Sequence, residues 1–183
     1  MLNASQLVIL DRDGVINHDS DAYIKSLAEW IAYPNAIKAI ARLSQAGFKV
    51  AVATNQSGIA RGYYSEAALQ AMHDHLEALV SAQGGQIAHI AYCPHGPDDQ
   101  CECRKPLPGL LIQIQNALGL ESLNGSWMVG DSLRDIQAGE AVGCRTALVR
   151  TGKGEKTLLN HIGLEKSAVF HDLAEFTNWL CQP

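Results

Sequence analysis

Short apolar, β-branched runs alternate along the chain with longer stretches of helical period, the pattern of repeated strand-helix units and a parallel sheet. Residues 6–10 (QLVIL), 48–53 (FKVAVA), 87–92 (IAHIAY), 126–130 (SWMVG), 145–149 (RTALV) and 167–170 (SAVF) are predicted strands, and polar residues follow each. PNAIKAIARLSQAG (34–47) opens with proline and closes on Gly47. SEAALQAMHDHLEALVSAQGG (65–85) opens on a Ser cap and ends in paired glycines, and PGLLIQIQNALG (108–119) repeats the scheme. These three are predicted helices. Residues 14–34 fit neither period and are expected to form an irregular flap beside the first strand. TGKGEK (151–156) reads as a flexible, basic surface loop.

The expected architecture is an α/β fold of three layers around a central parallel sheet, in a single domain over residues 1–183, since 183 residues of which 47% are hydrophobic supply one ordinary core. A formal charge of -5 excludes the broad basic surface that nucleic acid or an anionic membrane demands, so any phosphate must be bound locally. No apolar run reaches the length of a spanning helix, and MLNASQ lacks the layout of a secretion signal. A cytoplasmic protein is expected, in which clustered cysteines are metal ligands rather than disulfides. Without a heptad seam or an apolar surface stripe, the expected state is a monomer.

Ligands of open parallel sheets bind beyond the carboxyl ends of the strands. There the sequence places Asp11 and Asp13, then Thr54, Asn55, Gln56 and Ser57, then Asp131 and Asp135, with Arg104 and Lys105 ahead of the helix near Pro108. Carboxylates, a hydroxyl and a lysine on one edge make a site for a divalent cation and a phosphate. DRDG alone also suits a polar turn; the matching positions of TNQS and GDSLRD favour a site. In CPHGPDDQCEC, Cys93, His95, Cys101 and Cys103 fall within eleven residues and match the closed tetrahedral set of a structural zinc, in a loop (93–105) that aims Arg104 and Lys105. Cys144 and Cys181 are expected to pack as small apolar residues. His73 and His75, two apart on one helix, are expected at the surface; His18 lies where it could border a substrate.

LDRDG, ATNQSG, RKP ahead of a helix and VGDSLRD stand in the order of the four motifs of the haloacid dehalogenase (HAD) superfamily of phosphohydrolases, which the chain resembles from about residue 7 to 150. DRDGVIN, TNQSGIARGYY, CPHGP and CECRKPLPG are similar to its zinc-loop branch of heptose bisphosphate phosphatases, related to the histidinol-phosphate phosphatases. The resemblance implies a Rossmann-like HAD fold in which Asp11 is the nucleophile, Asp13 the general acid and base, Thr54 a donor to a phosphoryl oxygen and Lys105 its neutralising cation. It implies Mg2+ held by the Asp11 carboxylate, the Asp13 main-chain carbonyl and the Asp131 carboxylate, supported by Asp135. Arg104 matches a substrate-recognition residue. Asn55, Gln56 and Ser57 complete that side, and Asn17, Asp19 and Tyr23 in the flap are candidates for sugar hydroxyls. Ser132 departs from the pattern, standing where family members often carry a lysine.

No long insertion separates the first three motifs, so no separate cap domain is expected, and the flap and zinc loop alone cover the site. The implied activity is removal of the C7 phosphate from a small phosphosugar, D-glycero-D-manno-heptose 1,7-bisphosphate, toward nucleotide-activated heptose and the lipopolysaccharide core. Histidinol phosphate is the rival substrate. A zinc-loop module that binds a phosphorylated ligand without turnover is the rival of another class.

Overall fold

Strand β1 (Leu7–Leu10) is apolar on both faces and wholly buried, which requires a sheet covered on both sides. Val8 and Leu10 pack into one core with α1 (Ala36–Gln45), α2 (Glu66–Ala82) and α6 (Leu173–Leu180), through Ile40, Leu43, Leu69, Met72, Leu76 and Phe176. Leu7 and Ile9 point the other way, against Leu110, Leu111 and Ile114 of α3 (Gly109–Ala117) and Ala138 of α4 (Leu133–Glu140). The alternation of one strand thus builds two cores and three layers. The computed structural model describes residues 3–182; residues 1, 2 and 183 lie outside it.

The sheet has six parallel strands in the order β3-β2-β1-β4-β5-β6, with β2 (Lys49–Asn55), β3 (His89–Cys93), β4 (Trp127–Gly130), β5 (Arg145–Val149) and β6 (Ala168–Phe170). All six predicted strands form, with ends shifted by a residue or two. β1 is central, flanked by β2 and β4, so the chain reverses its direction of travel across the sheet at β1. The tips of these three strands form the crevice where such folds bind ligands.

The predicted helices form at the expected caps. Ser65 accepts from Ala68 N at the start of α2, and Gly47, just past α1, takes φ +92°, which a side chain would resist. The flap is irregular, containing only the 3-10 turn Leu27–Glu29, yet it is not loose. Val15, Ile16, Ile24 and Trp30 are buried in the larger core, and Asn17 bridges to Asp13 and Ala32. Between β1 and β2 stand only this flap and α1, and between β2 and β3 only α2 with its loops.

Two expectations are corrected. Residues 151–156 are not a flexible loop: Gly154 opens α5 (Gly154–Asn160), and the three residues before it are bonded to Gly14, Tyr33 and Asp131. His73 is not at the surface but 3% exposed, because α2 turns that face toward β1; His75 is half-buried, its ring edge-on to Trp30 at 5.7 Å. Among the described residues, no helix is long and apolar enough to cross a membrane.

Candidate active site

Asp11 extends the β1 ladder by one bond, its N–H donating to Val129 O at 2.9 Å, so the first carboxylate is fixed beside the tip of β4. Asp131 follows β4 directly. Its side chain lies in a slot without side chains: a Cβ on Gly14 would stand 2.0 Å from Asp131 Oδ2, and one on Gly152 2.3 Å from the same oxygen. Gly14 also holds φ +87°. Lys153 N donates to Asp131 Oδ2 at 2.8 Å and Thr157 Oγ1 to its carbonyl at 2.9 Å, which ties the start of α5 into the site.

Lys105, 2% exposed, is held over these acids by three acceptors: Asp11 Oδ1 at 2.9 Å, Asp135 Oδ1 at 2.7 Å and Ala53 O at 2.6 Å. Its main chain is clamped by Asn55, which accepts from Lys105 N and donates to Lys105 O, both at 3.0 Å. Asn55 therefore sets the lysine as well as lining the cavity. The remaining oxygen of Asp135 accepts from Ser132 N at 3.1 Å and Ser132 Oγ at 3.0 Å. With both oxygens occupied, Asp135 supports Lys105 and the start of α4, and Ser132 serves this helix start.

One oxygen each of Asp11, Asp131 and Asp135 lie within 4.8 Å of one another. Three carboxylates facing one ammonium leave two excess negative charges, the charge of a magnesium ion, and the hard oxygen donors suit it. Burial and the nearby Asp135 raise the Asp11 carboxyl from 3.8 to about 7; burial and Asp11 raise Asp131 from 3.8 to about 8. Burial opposes the charge of Lys105, but Asp11 and Asp135 outweigh it and hold the ammonium above its ordinary range. Because the two carboxyls bind protons more tightly folded than unfolded, their contribution to stability is full below about pH 4 and lost as pH rises through their folded values. Protein freed of divalent ions is expected to melt at a higher temperature at pH 5 than at pH 8, and magnesium to raise the melting temperature more at pH 8. Equal responses at both pH values in a thermal melt would contradict this crowding.

Asp13 sits in a cage of donors. On Oδ1 converge Arg12 Nε at 2.9 Å, Arg12 Nη2 at 2.8 Å and Asn17 Nδ2 at 2.8 Å; on Oδ2 lies Gln56 Nε2 at 3.1 Å. Arg12 is completely buried, and its Nη1 reaches His73 Nε2 at 3.4 Å. A guanidinium only donates, so Nε2 of His73 accepts and the ring is neutral. Burial first, then the Arg12 charge, push this histidine down to about 4, consistent with that form.

A cavity of about 260 Å³ opens onto Asp11, Asp13, Asp131 and Lys105, with Asp19, Tyr23, Asn55, Gln56, Ser57 and Arg104 among its other walls. Asn17 and Thr54 are not on this wall. Asn17 is buried behind Asp13, which it holds; Thr54 is buried with its Oγ1 accepting from Gln56 Nε2 at 2.8 Å. The sequence does not point to Arg12, Tyr64, Arg134 or Lys153, and from sequence His73 is expected at the surface; Tyr64, Arg134 and Lys153 line the cavity, and Lys153 Nζ is 3.4 Å from Asp19. For His73 a signal was present: it lies four residues after Leu69 and three before Leu76, within the buried stripe of α2.

Cys93, His95, Cys101 and Cys103 meet as expected. Nδ1 of His95 lies 3.6 Å from Cys93 Sγ and 3.3 Å from Cys103 Sγ, and Cys93 Sγ lies 3.9 Å from Cys101 Sγ. Tetrahedral zinc with bonds of about 2.3 Å to sulfur separates its sulfurs by about 3.8 Å; the Cys93–Cys103 pair at 2.9 Å is tighter than that. Three thiols and an imidazole fit a zinc ion, and the next two residues are Arg104 and Lys105. His18 packs on Tyr33, ring centroids 4.2 Å apart, away from the cavity wall. Cys144 is buried in the smaller core and Cys181 packs against the larger one, as expected.

A HAD-hydrolase-like family model matches residues 102–176. The D-glycero-β-D-manno-heptose-1,7-bisphosphate 7-phosphatase of Pseudomonas aeruginosa is 59% identical over 176 residues, 96% of this chain and 98% of the relative. Its namesake from Escherichia coli is 37% identical over 161 residues, 84% of this chain and 83% of the relative. The crystal structure of the Bordetella bronchiseptica D,D-heptose 1,7-bisphosphate phosphatase, complexed with magnesium and phosphate, superposes with a TM-score of 0.92 at 50% identity, covering 96% of this chain and 97% of that one. At these identities over nearly the whole length of both chains, this chain belongs to the D-glycero-β-D-manno-heptose-1,7-bisphosphate 7-phosphatase family of HAD-like hydrolases.

Proposed function

We propose that this chain is a magnesium-dependent phosphomonoester hydrolase that removes the C7 phosphate of D-glycero-D-manno-heptose 1,7-bisphosphate, leaving heptose 1-phosphate. The observation that carries the reading is the meeting of Asp11 and Asp131 within 4.8 Å, with Lys105 Nζ 2.9 Å from Asp11 Oδ1 and Asp13 on the same wall.

In this reading an Asp11 carboxylate oxygen attacks phosphorus in line while the bond from phosphorus to the sugar oxygen breaks. The departing oxygen takes a proton from Asp13. Three donors already occupy Oδ1 of Asp13, so the proton it carries belongs on Oδ2, the oxygen with one donor. A water then gives its proton to Asp13 and attacks the aspartyl phosphate, freeing inorganic phosphate and Asp11. Lys105 opposes the charge that gathers on the phosphoryl group. Thr54, buried behind the wall, accepts from the Gln56 amide and steadies it beside Asp13. Asp11, Asp131 and the Asp13 carbonyl would hold magnesium, which when bound supplies charge neutralisation for the phosphoryl group.

The thiol-imidazole set would hold a structural zinc that shapes the Arg104-Lys105 segment. Asp19, Tyr23, Ser57 and Arg104 line the cavity and would meet the sugar. In this reading residues 1–183 act as one domain and as a monomer. A cytoplasmic setting keeps the loop's thiols reduced.

The test is phosphate release from both anomers of the heptose bisphosphate and from histidinol phosphate, with magnesium and after its chelation. Release from a heptose bisphosphate on the order of 100-fold faster than from histidinol phosphate is expected, and its loss on chelation. Preference for histidinol phosphate would reassign the substrate, and binding without release would leave a ligand-binding module.

A further inference from the structure

Resting on the phosphatase reading above, we propose that Tyr64 is a positioning residue: acting through the Gln56 amide, it holds Oδ2 of Asp13 in place to protonate the leaving oxygen.

Gln56 is 3% exposed, and its amide is fully engaged. Nε2 donates to Asp13 Oδ2 at 3.1 Å and to Thr54 Oγ1 at 2.8 Å, while Oε1 accepts from Tyr64 Oη in a short hydrogen bond. The orientation is forced. Asp13 Oδ2 must keep its own proton free for the leaving oxygen and so only accepts from Gln56, which puts the NH2 side toward Asp13, the carbonyl side toward Tyr64, and makes the phenol the donor. Burial pushes that phenol up to about 12, so it keeps its proton at any working pH.

Without the hydroxyl, Gln56 Oε1 is a buried acceptor with no donor. Turning the amide over would set Oε1 against Oδ2 of Asp13, where it either meets another acceptor or draws the catalytic proton away from the leaving oxygen. The hydroxyl thus decides which face of the amide Asp13 meets. The fold makes room for the ring that carries it: a Cβ on Gly58 would stand 2.2 Å from Tyr64 Cε1. Arg12 and Asn17 secure Oδ1 independently, so Oδ2, the oxygen facing catalysis, depends on Gln56 alone among the protein donors to Asp13 in the described residues.

The distinguishing readout is the leaving group. A sugar alkoxide cannot depart without a proton, whereas p-nitrophenolate departs unprotonated. In both, the Asp11 oxygen bonds to phosphorus as the ester bond breaks, and the electron pair goes to the leaving oxygen. Tyr64→Phe, in the full chain with magnesium, should lower the first-turnover rate on heptose 1,7-bisphosphate on the order of 10-fold. It should change the first-turnover burst of nitrophenol from p-nitrophenyl phosphate, and the KM for the sugar, by less than about 2-fold. Equal losses on both phosphate esters, or none on the sugar, would overturn the inference while the unmodified chain remains a phosphatase. No release from the sugar phosphate by the unmodified chain would instead remove the phosphatase reading, and this inference with it.

Discussion

Asp11→Asn is expected to lower phosphate release on the order of 10⁴-fold or more while leaving the fold and the metal content of the Cys/His loop intact. The amide keeps the shape of the carboxylate, and its oxygen can still accept the 2.9 Å bonds that Arg12 N and Lys105 Nζ make to Oδ1. What it lacks is the nucleophilic oxygen anion, so no aspartyl phosphate forms. Steady-state phosphate release, read beside the melting temperature and zinc content of the same preparation, checks this. Near-normal turnover would reject Asp11 as nucleophile.

Lys105→Met should damage both stability and rate. The lysine answers two acids at 2.9 and 2.7 Å while itself 2% exposed. Removing it strands Asp11 and Asp135 in the interior without their cation, at a cost of about 3–5 kcal/mol. The pH dependence has a definite sign. In the parent chain the ammonium, raised above its ordinary range, stays charged from pH 5 to 8. In the variant Asp11 loses the group that lowers its proton affinity, so its protonation rescues the fold in acid and not at higher pH. Urea unfolding should therefore show a larger deficit at pH 8 than at pH 5. Turnover should fall on the order of 10²- to 10³-fold, as when one donor to a developing oxyanion is removed. A variant as stable as the parent at pH 8 would mean that Lys105 does not neutralise these acids.

Much of this site is legible in the chain because its ligands follow the strands directly. Asp11, Asn55 and Asp131 stand at the ends of β1, β2 and β4, where alternation and strand length locate them, and the four Cys/His ligands are close in sequence. What is not legible depends on which face of an element turns inward. Arg12 and His73 meet only because α2 lies over β1, and a spacing of two between His73 and His75 says nothing about which of them is buried. Asn17 reads as a polar flap residue, but the flap folds back through Ile16 and Trp30 into the core and leaves Asn17 under Asp13. Residues 151–153 look like a spacer because Gly and Lys carry no period. Their role comes from backbone groups, and from the absence of a side chain at Gly152, neither of which a hydrophobic pattern records.

The order of the strands has a temporal consequence. β4 inserts beside β1, so Asp131, whose carboxylate meets that of Asp11, belongs to the final third of the polypeptide. On the ribosome, Asp11, Asp13 and Lys105 all emerge before residue 131. Until β4 has been synthesised and has slotted in next to β1, the Asp131 carboxylate that meets Asp11 is absent. A half-made chain therefore cannot cleave phosphates, and competence arrives only near the end of translation.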